Sequence, residues 1–312
     1  MTLGVDIDNL GKRFGDLEAV RGISLEVRAG EAFGLLGPNG AGKTTTLSML
    51  STLLAPSYGD ARVFGKSLTA DVWAVRKLVG IVPQDVSLYP NLTARENLHF
   101  FARIYEAPAR RVRARAQELL ELVGLDSRAD DLVETYSGGM KRRLNLACGL
   151  VHDPRVLLLD EPTVGVDPQS REHILDAIHE LARAGTTVLY TTHYMEEAER
   201  VCDRIAIMDE GRIVAAGTLA ELLQIVGMGE VVEIDGGVTE DDRARLRAIP
   251  EVTQVEAVNP RLTRVFVNSA ARALAPIAAI VAARADAVDG LEMHPVNLEQ
   301  VFMHLTGKAL RD

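Results

Sequence analysis

Eight residues, Gly37-Pro38-Asn39-Gly40-Ala41-Gly42-Lys43-Thr44, fit the spacing G-x-x-x-x-G-K-[ST] and constrain this chain more than any other feature it carries. The glycines let the backbone curl so that successive N–H groups point inward, beside the positive end of the helix that follows. That geometry needs a strand before the loop and a helix after it. Residues 33–36 are an apolar run that reads as the strand, and residues 45–54 read as the helix. The backbone of Gly37, Pro38, Asn39, Gly40, Ala41 and Gly42 would wrap phosphates, with Thr45 at the helix start. Lys43 would reach the β- and γ-phosphates, and the Thr44 hydroxyl would hold magnesium. The competing reading is a glycine-rich turn without a ligand. The strand and helix on either side favour a nucleoside triphosphate site.

Short apolar runs alternate with helical stretches up to about residue 220, which predicts a layered α/β domain with a largely parallel sheet. Residues 23–27 and 32–36 read as strands flanking a turn at Ala29-Gly30. Residues 156–160 and 186–192 are continuous apolar or β-branched runs, as in strands buried on both faces. Between them Ile174, Ile178 and Leu181 recur at helical spacing and predict a crossover helix. Residues 91–151 break the alternation: helices are predicted over 95–105, 109–123 and 140–151 with no strand among them, a helical subdomain inserted in the core. Its basic run, Arg103, Arg110, Arg111, Arg113 and Arg115, reads as a solvated helix face in preference to a binding patch.

After Gly217 the spacing changes again. Strand, helix, two strands, helix and strand are predicted over 231–234, 241–249, 252–258, 264–267, 273–284 and 291–295, with a closing helix over 298–305. The order βαββαβ is that of a split-βαβ, ferredoxin-like module. The expected fold is α/β at residues 1–219, of the P-loop NTPase class, followed by a small α+β accessory or regulatory module at 220–312.

The strand at 156–160 ends in two carboxylates, Asp160 and Glu161, before Pro162. Acids at the carboxyl end of a parallel strand sit where open α/β sheets bind ligands. Asp160 is placed to coordinate magnesium through water, and Glu161 to polarise the water that attacks a γ-phosphate. Acids favouring a helix N-terminus are the plainer alternative. In Tyr136-Ser137-Gly138-Gly139-Met140, Ser137 can be an ordinary N-cap for the helix carrying Leu144, Ala147 and Val151. Two following glycines cost helix stability, so a second phosphate-binding helix start is the other reading of Ser137, Gly138 and Gly139.

Taken in order, the P-loop, Val82-Pro83-Gln84, Tyr136-Ser137-Gly138-Gly139-Met140, Leu159-Asp160-Glu161-Pro162 and Thr191-Thr192-His193 resemble the motif set of ABC transporter nucleotide-binding domains, over roughly residues 1–220. The resemblance implies that Gln84 touches magnesium and faces a transmembrane partner, and that His193 contacts the γ-phosphate; without it His193 reads as a core histidine. Asp167 resembles the aspartate of the loop after the catalytic glutamate and is equally an N-cap before Pro168. Phe14 stands where a tyrosine commonly stacks on adenine, its plainer reading being a surface-loop aromatic. Met140 departs from the usual glutamine of the signature. Residues 136–144, with Leu298-Glu299-Gln300-Val301-Phe302 and Leu305-Thr306-Gly307, are similar to ATPase subunits of daunorubicin-resistance-type exporters, which work with ABC-2-type permease subunits. Two chains of such domains form a head-to-tail dimer, each ATP shared between the P-loop of one and Ser137-Gly138-Gly139 of the other.

Composition removes several alternatives. A formal net charge of −10 over 312 residues argues against nonspecific binding to nucleic acid. Cys148 and Cys202 have no C-x-x-C or histidine spacing and read as buried free thiols in a reducing compartment. The longest nearly uncharged apolar stretch, 273–283, is far below the roughly 20 residues of a membrane span. No signal peptide is legible at the first residues, so the expected location is cytoplasmic, peripheral at the inner face of the membrane. The functional expectation is an ATP- and Mg²⁺-dependent ATPase subunit of an exporter of drugs, lipids or similar molecules. A soluble ABC ATPase acting on ribosomes or DNA is the alternative, disfavoured by a single P-loop, the absence of heptads and cysteine pairs, and the acidic charge.

Overall fold

The computed structural model describes residues 2–105, 109–226, 230–282, 288–295 and 297–306. β1 (Leu3–Phe14) and β2 (Leu17–Arg28) make an antiparallel hairpin, and β3 (Ala32–Leu36) leads through the glycine loop into α1 (Lys43–Leu50). β4 (Tyr58–Val63), β5 (Lys66–Ser67), α2 (Val72–Leu78) and β6 (Val79–Val82) follow, then α3 (Ala94–Ile104), α4 (Ala109–Leu122) and α5 (Gly138–Leu150). The chain continues through β7 (Val156–Asp160), α6 (Pro168–Arg183), β8 (Thr187–Thr192), α7 (Met195–Val201), β9 (Arg204–Asp209) and β10 (Arg212–Gly217).

One six-stranded sheet has the order β10-β9-β3-β8-β7-β6, with β9, β3, β8, β7 and β6 parallel. Every residue of β3, β7 and β8 is buried, as continuous apolar runs require of a sheet covered on both faces. The register sets Leu36 beside Thr192, Asp160 beside Thr191 and Val82 beside Leu159. The loops that follow β3, β6, β7 and β8 therefore leave the sheet together, at the carboxyl ends of its parallel strands. These are the loops that carry the P-loop, Gln84, Glu161 and His193.

The second sheet, β2-β1-β4-β5, is antiparallel, and of its strands only residues 23–27 were expected. Its side chains Val5, Ile7, Leu10, Val20 and Ile23 share a core with Phe33, Leu35 and Leu47. The missing signal has a physical cause. The β1–β2 pairing is interrupted at Leu3/Val5, Ile7/Leu10, Leu10/Lys12 and Lys12/Arg13, and Asn9 adopts φ 47°. Each bulge adds a residue and shifts the phase of alternation, so period two is lost along the strand.

The insertion is helical, as expected: among the described residues only two 3₁₀ turns, Asp126–Arg128 and Val133–Thr135, separate α4 from α5. Leu98, Leu119, Leu120, Leu144 and Leu146 join Leu157, Leu159 and Tyr190 of the parallel sheet in one core. α3 begins in a reciprocal cap, Thr93 Oγ1 accepting from Glu96 N–H at 3.1 Å and Glu96 Oε2 from Thr93 N–H at 2.9 Å. α5 starts at Gly138, two residues before the predicted start, because Ser137 caps it. Cys148 is buried, Cys202 is only half-buried, and both are free thiols whose pKa burial pushes up.

The chain divides into two compact units, one reaching Ala216 and the other starting at Gly217. The second holds α8 (Leu219–Val226), β11 (Glu230–Gly236), α9 (Glu240–Arg247), β12 (Val252–Asn259), β13 (Leu262–Val267), α10 (Ala270–Ala282), β14 (Val288–Pro295) and α11 (Leu298–Thr306). Its sheet order is β12-β13-β11-β14 with antiparallel neighbours, the interlaced arrangement of the ferredoxin-like βαββαβ unit. Alternate residues Val232 and Ile234 of β11, and Val265 and Val267 of β13, pack with Leu246 of α9 and with Ala273 and Ile277 of α10. α8, absent from the sequence reading, packs against α11.

Candidate nucleotide-binding site

The glycine loop wraps the first turn of α1. Gly42 caps that helix at φ 105°, a left-handed conformation, and a Cβ there would lie 2.6 Å from Ala19 O. Lys43 is buried, its Nζ donating to Gly37 O at 2.7 Å and Pro38 O at 3.2 Å. Asn39, Gly40 and Thr44 are exposed, and the Thr44 hydroxyl donates to Asp160 Oδ1 at 3.2 Å.

The carboxylates at the end of β7 meet this loop. Glu161 Oε1 pairs with Lys43 Nζ at 3.2 Å, with both side chains buried. His193 Nδ1 lies 3.3 Å from Glu161 Oε2, without hydrogen-bond alignment, and Gln84 Nε2 donates to the same oxygen at 3.5 Å. Thr191 holds the pair of acids: its hydroxyl donates to Asp160 Oδ1 at 2.8 Å and accepts from Glu161 N–H at 3.0 Å. Glu161 adopts φ 45°, a backbone conformation that costs a side-chain-bearing residue about 1–3 kcal/mol and that clusters at active sites. The four loops thus gather Lys43, Thr44, Gln84, Asp160, Glu161 and His193 into one group.

Thr44 Oγ1, in the first turn of α1, and Asp160 Oδ1, at the end of β7, are neighbouring hard oxygen ligands. Among the described residues no three His, Cys, Asp or Glu side chains are grouped to hold a metal. A partial oxygen shell of this kind suits magnesium, which keeps waters and binds through one or two carboxylates plus substrate phosphates.

Ser137, Gly138, Gly139, Asp167 and Phe14 lie outside this group. Ser137 is exposed and accepts from Met140 N–H at 3.2 Å, and among the described residues no hydrogen bond joins it to the glycine loop. A Cβ on Gly138 would meet nothing within 4 Å, whereas one on Gly139 would lie 2.0 Å from Ser170 Oγ. Asp167 caps α6, accepting from Ser170 N–H at 2.9 Å, and hydrogen bonds from Ser170 hold its carboxyl below the usual range. Phe14 stands half-exposed at the β1–β2 turn, with Lys12 Nζ 5.3 Å from its ring centre.

Arg142 entered the sequence reading only as part of the run 136–144, with no role assigned. It is buried in the first half of α5 and donates to the carbonyls of Pro83, at 3.4 Å, and Gln84, and through its other nitrogen to Val164 O at 3.2 Å. It therefore ties the start of α5 to the Gln84 loop and to the turn beyond Glu161. No local signal marks it, since its partners lie 58, 59 and 22 residues away.

Residues 20–164 match the ABC transporter family. Over 308 residues the chain is 42% identical to the linearmycin resistance ATP-binding protein of Bacillus subtilis, a match covering 98% of this chain and 99% of that one. This chain belongs to the ATP-binding proteins of the ABC transporter family. As a member of that family it is an ATPase. It is also 42% identical over 314 residues to the Nod factor export ATP-binding protein I of Ralstonia nicotianae, covering 99% of this chain and 95% of that one. The daunorubicin resistance ATP-binding protein of Streptomyces coeruleorubidus is 39% identical over 307 residues, covering 98% and 97%. Among solved structures, an ATP-binding subunit of an ABC transporter superposes with TM-score 0.66 at 29% identity, over 72% of this chain and 94% of that one. A dimeric ATP-binding cassette in a post-hydrolysis state with ADP and Pi superposes with TM-score 0.63 at 27% identity, over 69% and 98%.

Proposed function

We propose that this chain is the ATP-hydrolysing subunit of an exporter and drives a separate ABC-2-type membrane subunit. The observation that carries the reading is the convergence of Lys43, Gln84 and His193 on the strained, buried Glu161, with Thr44 and Asp160 alongside. Lys43 would reach the β- and γ-phosphates and His193 would contact the γ-phosphate, with backbone from Gly37 to Thr45 around the phosphates and Phe14 against adenine. Thr44, Asp160 and Gln84 would hold magnesium, which supplies charge neutralisation on the phosphates when bound. Glu161 would orient water and accept its proton as the water oxygen bonds the γ-phosphorus and the bond to ADP breaks.

Ser137, Gly138, Gly139 and Asp167 are assigned to the ATP of a second copy in a head-to-tail dimer. The exposure of Ser137 and the open space above Gly138 support this. Leu53, Trp73 and Ile104 are 70%, 74% and 60% exposed and line one groove with Tyr105, an apolar surface suited to a cytoplasmic segment of the membrane subunit. No described helix is long and apolar enough to cross a membrane. This reading therefore leaves the cargo path to the partner and places the chain at the inner face of the membrane. Drug resistance and Nod factor export are named for the relatives; a drug, lipid or similar molecule is the cargo class proposed here.

Glu161→Gln keeps the side-chain shape and removes the charge, so ATP should still bind while hydrolysis slows by roughly 10²–10⁴. ATP-held dimers should then accumulate in gel filtration. Turnover near wild type would place the catalytic carboxylate elsewhere. A tagged chain recovered from detergent-solubilised membranes should bring a membrane subunit with it; recovery with ribosomes or DNA instead would overturn the exporter reading.

A further inference from the structure

Glu197 is an acid in the interior of the first unit, 3% exposed, with no part in the group described above. Its Oε2 accepts from three hydroxyls: Thr163 Oγ1 at 2.9 Å, Tyr190 OH at 2.5 Å and Thr192 Oγ1 at 3.0 Å. Its Oε1 lies 3.4 Å from Nε of Arg171 on α6. A buried carboxylate is stable only when paired and hydrogen-bonded, and here its partners, three hydroxyls and one guanidinium, come from three separate segments. Burial, and then the neighbouring Glu197, pushes the Tyr190 phenol far up, so it stays a donor.

Two of those segments carry the groups assigned to hydrolysis. Thr163 lies two residues after Glu161, on the same turn. Thr192 immediately precedes His193, and its hydroxyl also accepts from Tyr194 N–H at 2.9 Å, so His193 is bracketed by one hydroxyl. The Arg171 guanidinium stands 4.8 Å over the Tyr194 ring, a further tie on that turn. Alternation along β8 separates two polar sites: Thr191 faces Asp160 and Glu161, while Tyr190 and Thr192 face Glu197.

We propose that Glu197 is a positioning residue for ATP hydrolysis. One carboxylate clamps the Glu161 turn to the His193 turn and holds these two side chains 3.3 Å apart. It touches neither nucleotide nor water in that role, and it rests on the reading of Glu161 and His193 as the reacting groups.

The test uses the full-length chain. Glu197→Gln keeps the shape but turns one acceptor into a donor, so the three hydroxyls lose their shared anion. Its kcat should fall roughly 10- to 100-fold, the scale of an ångström misplacement at a reacting centre. Affinity for a non-hydrolysable ATP analogue should stay close to wild type. Thr192→Val should also lower kcat, and the double variant should be little worse than Glu197→Gln alone, because both act through one clamp. Wild-type kcat in Glu197→Gln overturns the proposal. So does a loss of nucleotide affinity as large as the loss of kcat, which general loosening would produce. Should Glu197→Gln not fold, Thr163→Val and Thr192→Val decide by the same comparison of kcat with affinity. Glu161→Gln is measured in parallel. Normal turnover in that variant removes the reading of the site itself, whereas slow Glu161→Gln beside normal Glu197→Gln removes only the clamp.

Discussion

Gly138 and Gly139 are neighbours in the chain with opposite surroundings. A Cβ on Gly139 would press into Ser170 Oγ at 2.0 Å and Asp167 Oδ2 at 2.8 Å, at the start of α6, while one on Gly138 would enter open space. Gly139→Ala should therefore destabilise the chain by about 1–3 kcal/mol, the usual cost of overpacking a tight contact. Gly138→Ala should leave the melting temperature of the isolated chain unchanged or slightly raised, since alanine favours a helix, and reduce ATP-dependent dimerisation and hydrolysis, because the proposed partner phosphate needs bare backbone there. Thermal melts paired with ATPase assays separate the two. Equal melting temperatures would mean that the α5–α6 contact yields; full activity in Gly138→Ala would remove the helix start from the shared site. Sequence reading placed both glycines in one motif. It had no means of separating the glycine packed against the start of α6 from the one facing open space, since that depends on α6, some thirty residues further on.

Among the elements, α3 shows how much a local signal can fix. Thr93 and Glu96 carry the capping-box spacing, and both reciprocal hydrogen bonds form, so the start of α3 is set by its own residues. Thr93→Ala should lower stability by about 1 kcal/mol, with the ordinary range of cap losses near 0.5–2 kcal/mol. A urea melt with unchanged slope would show that loss directly; no shift in midpoint would mean that tertiary packing, not the cap, holds the helix end. Buried Asn97 supplies a competing anchor, since it accepts from Tyr89 N–H at 2.8 Å and donates to Tyr89 O at 3.0 Å. β1 shows the reverse case. Its repeated bulges scramble the alternation that marks a strand, and only the partners β2 and β4 keep it extended.

At the scale of the whole molecule, the two units hold separate cores. The core side chains of the sheets and helices in the first unit lie before Ala216, and Val232, Ile234, Val265, Leu246 and Ile277 form another in the second. The second unit is proposed as an accessory or regulatory module, because none of the residues assigned to nucleotide lies in it. A chain ending at Ala216 should fold and bind a fluorescent ATP analogue nearly as well as the full chain, with regulation or partner attachment affected instead. Loss of binding in a truncated chain that retains its circular dichroism would give the second unit a part in the nucleotide site.

The residues proposed to meet phosphate were legible because a P-loop is local: eight consecutive residues, a strand before and a helix after specify one backbone shape. The acids at the end of β7 were legible for a related reason, since a buried parallel strand announces itself as an apolar run and its end is where ligands bind. The ferredoxin-like order of the second unit followed from element succession alone. Tertiary structure decided the rest. Parallel register brings Gln84, Glu161 and His193 to the carboxyl ends of neighbouring strands from positions far apart in the chain. Folding alone also brings Arg142 to the carbonyls around Gln84 and encloses Glu197 among three hydroxyls. A buried polar group takes its role from the partners that enclose it, and those partners are chosen by packing between distant segments, which no local spacing records.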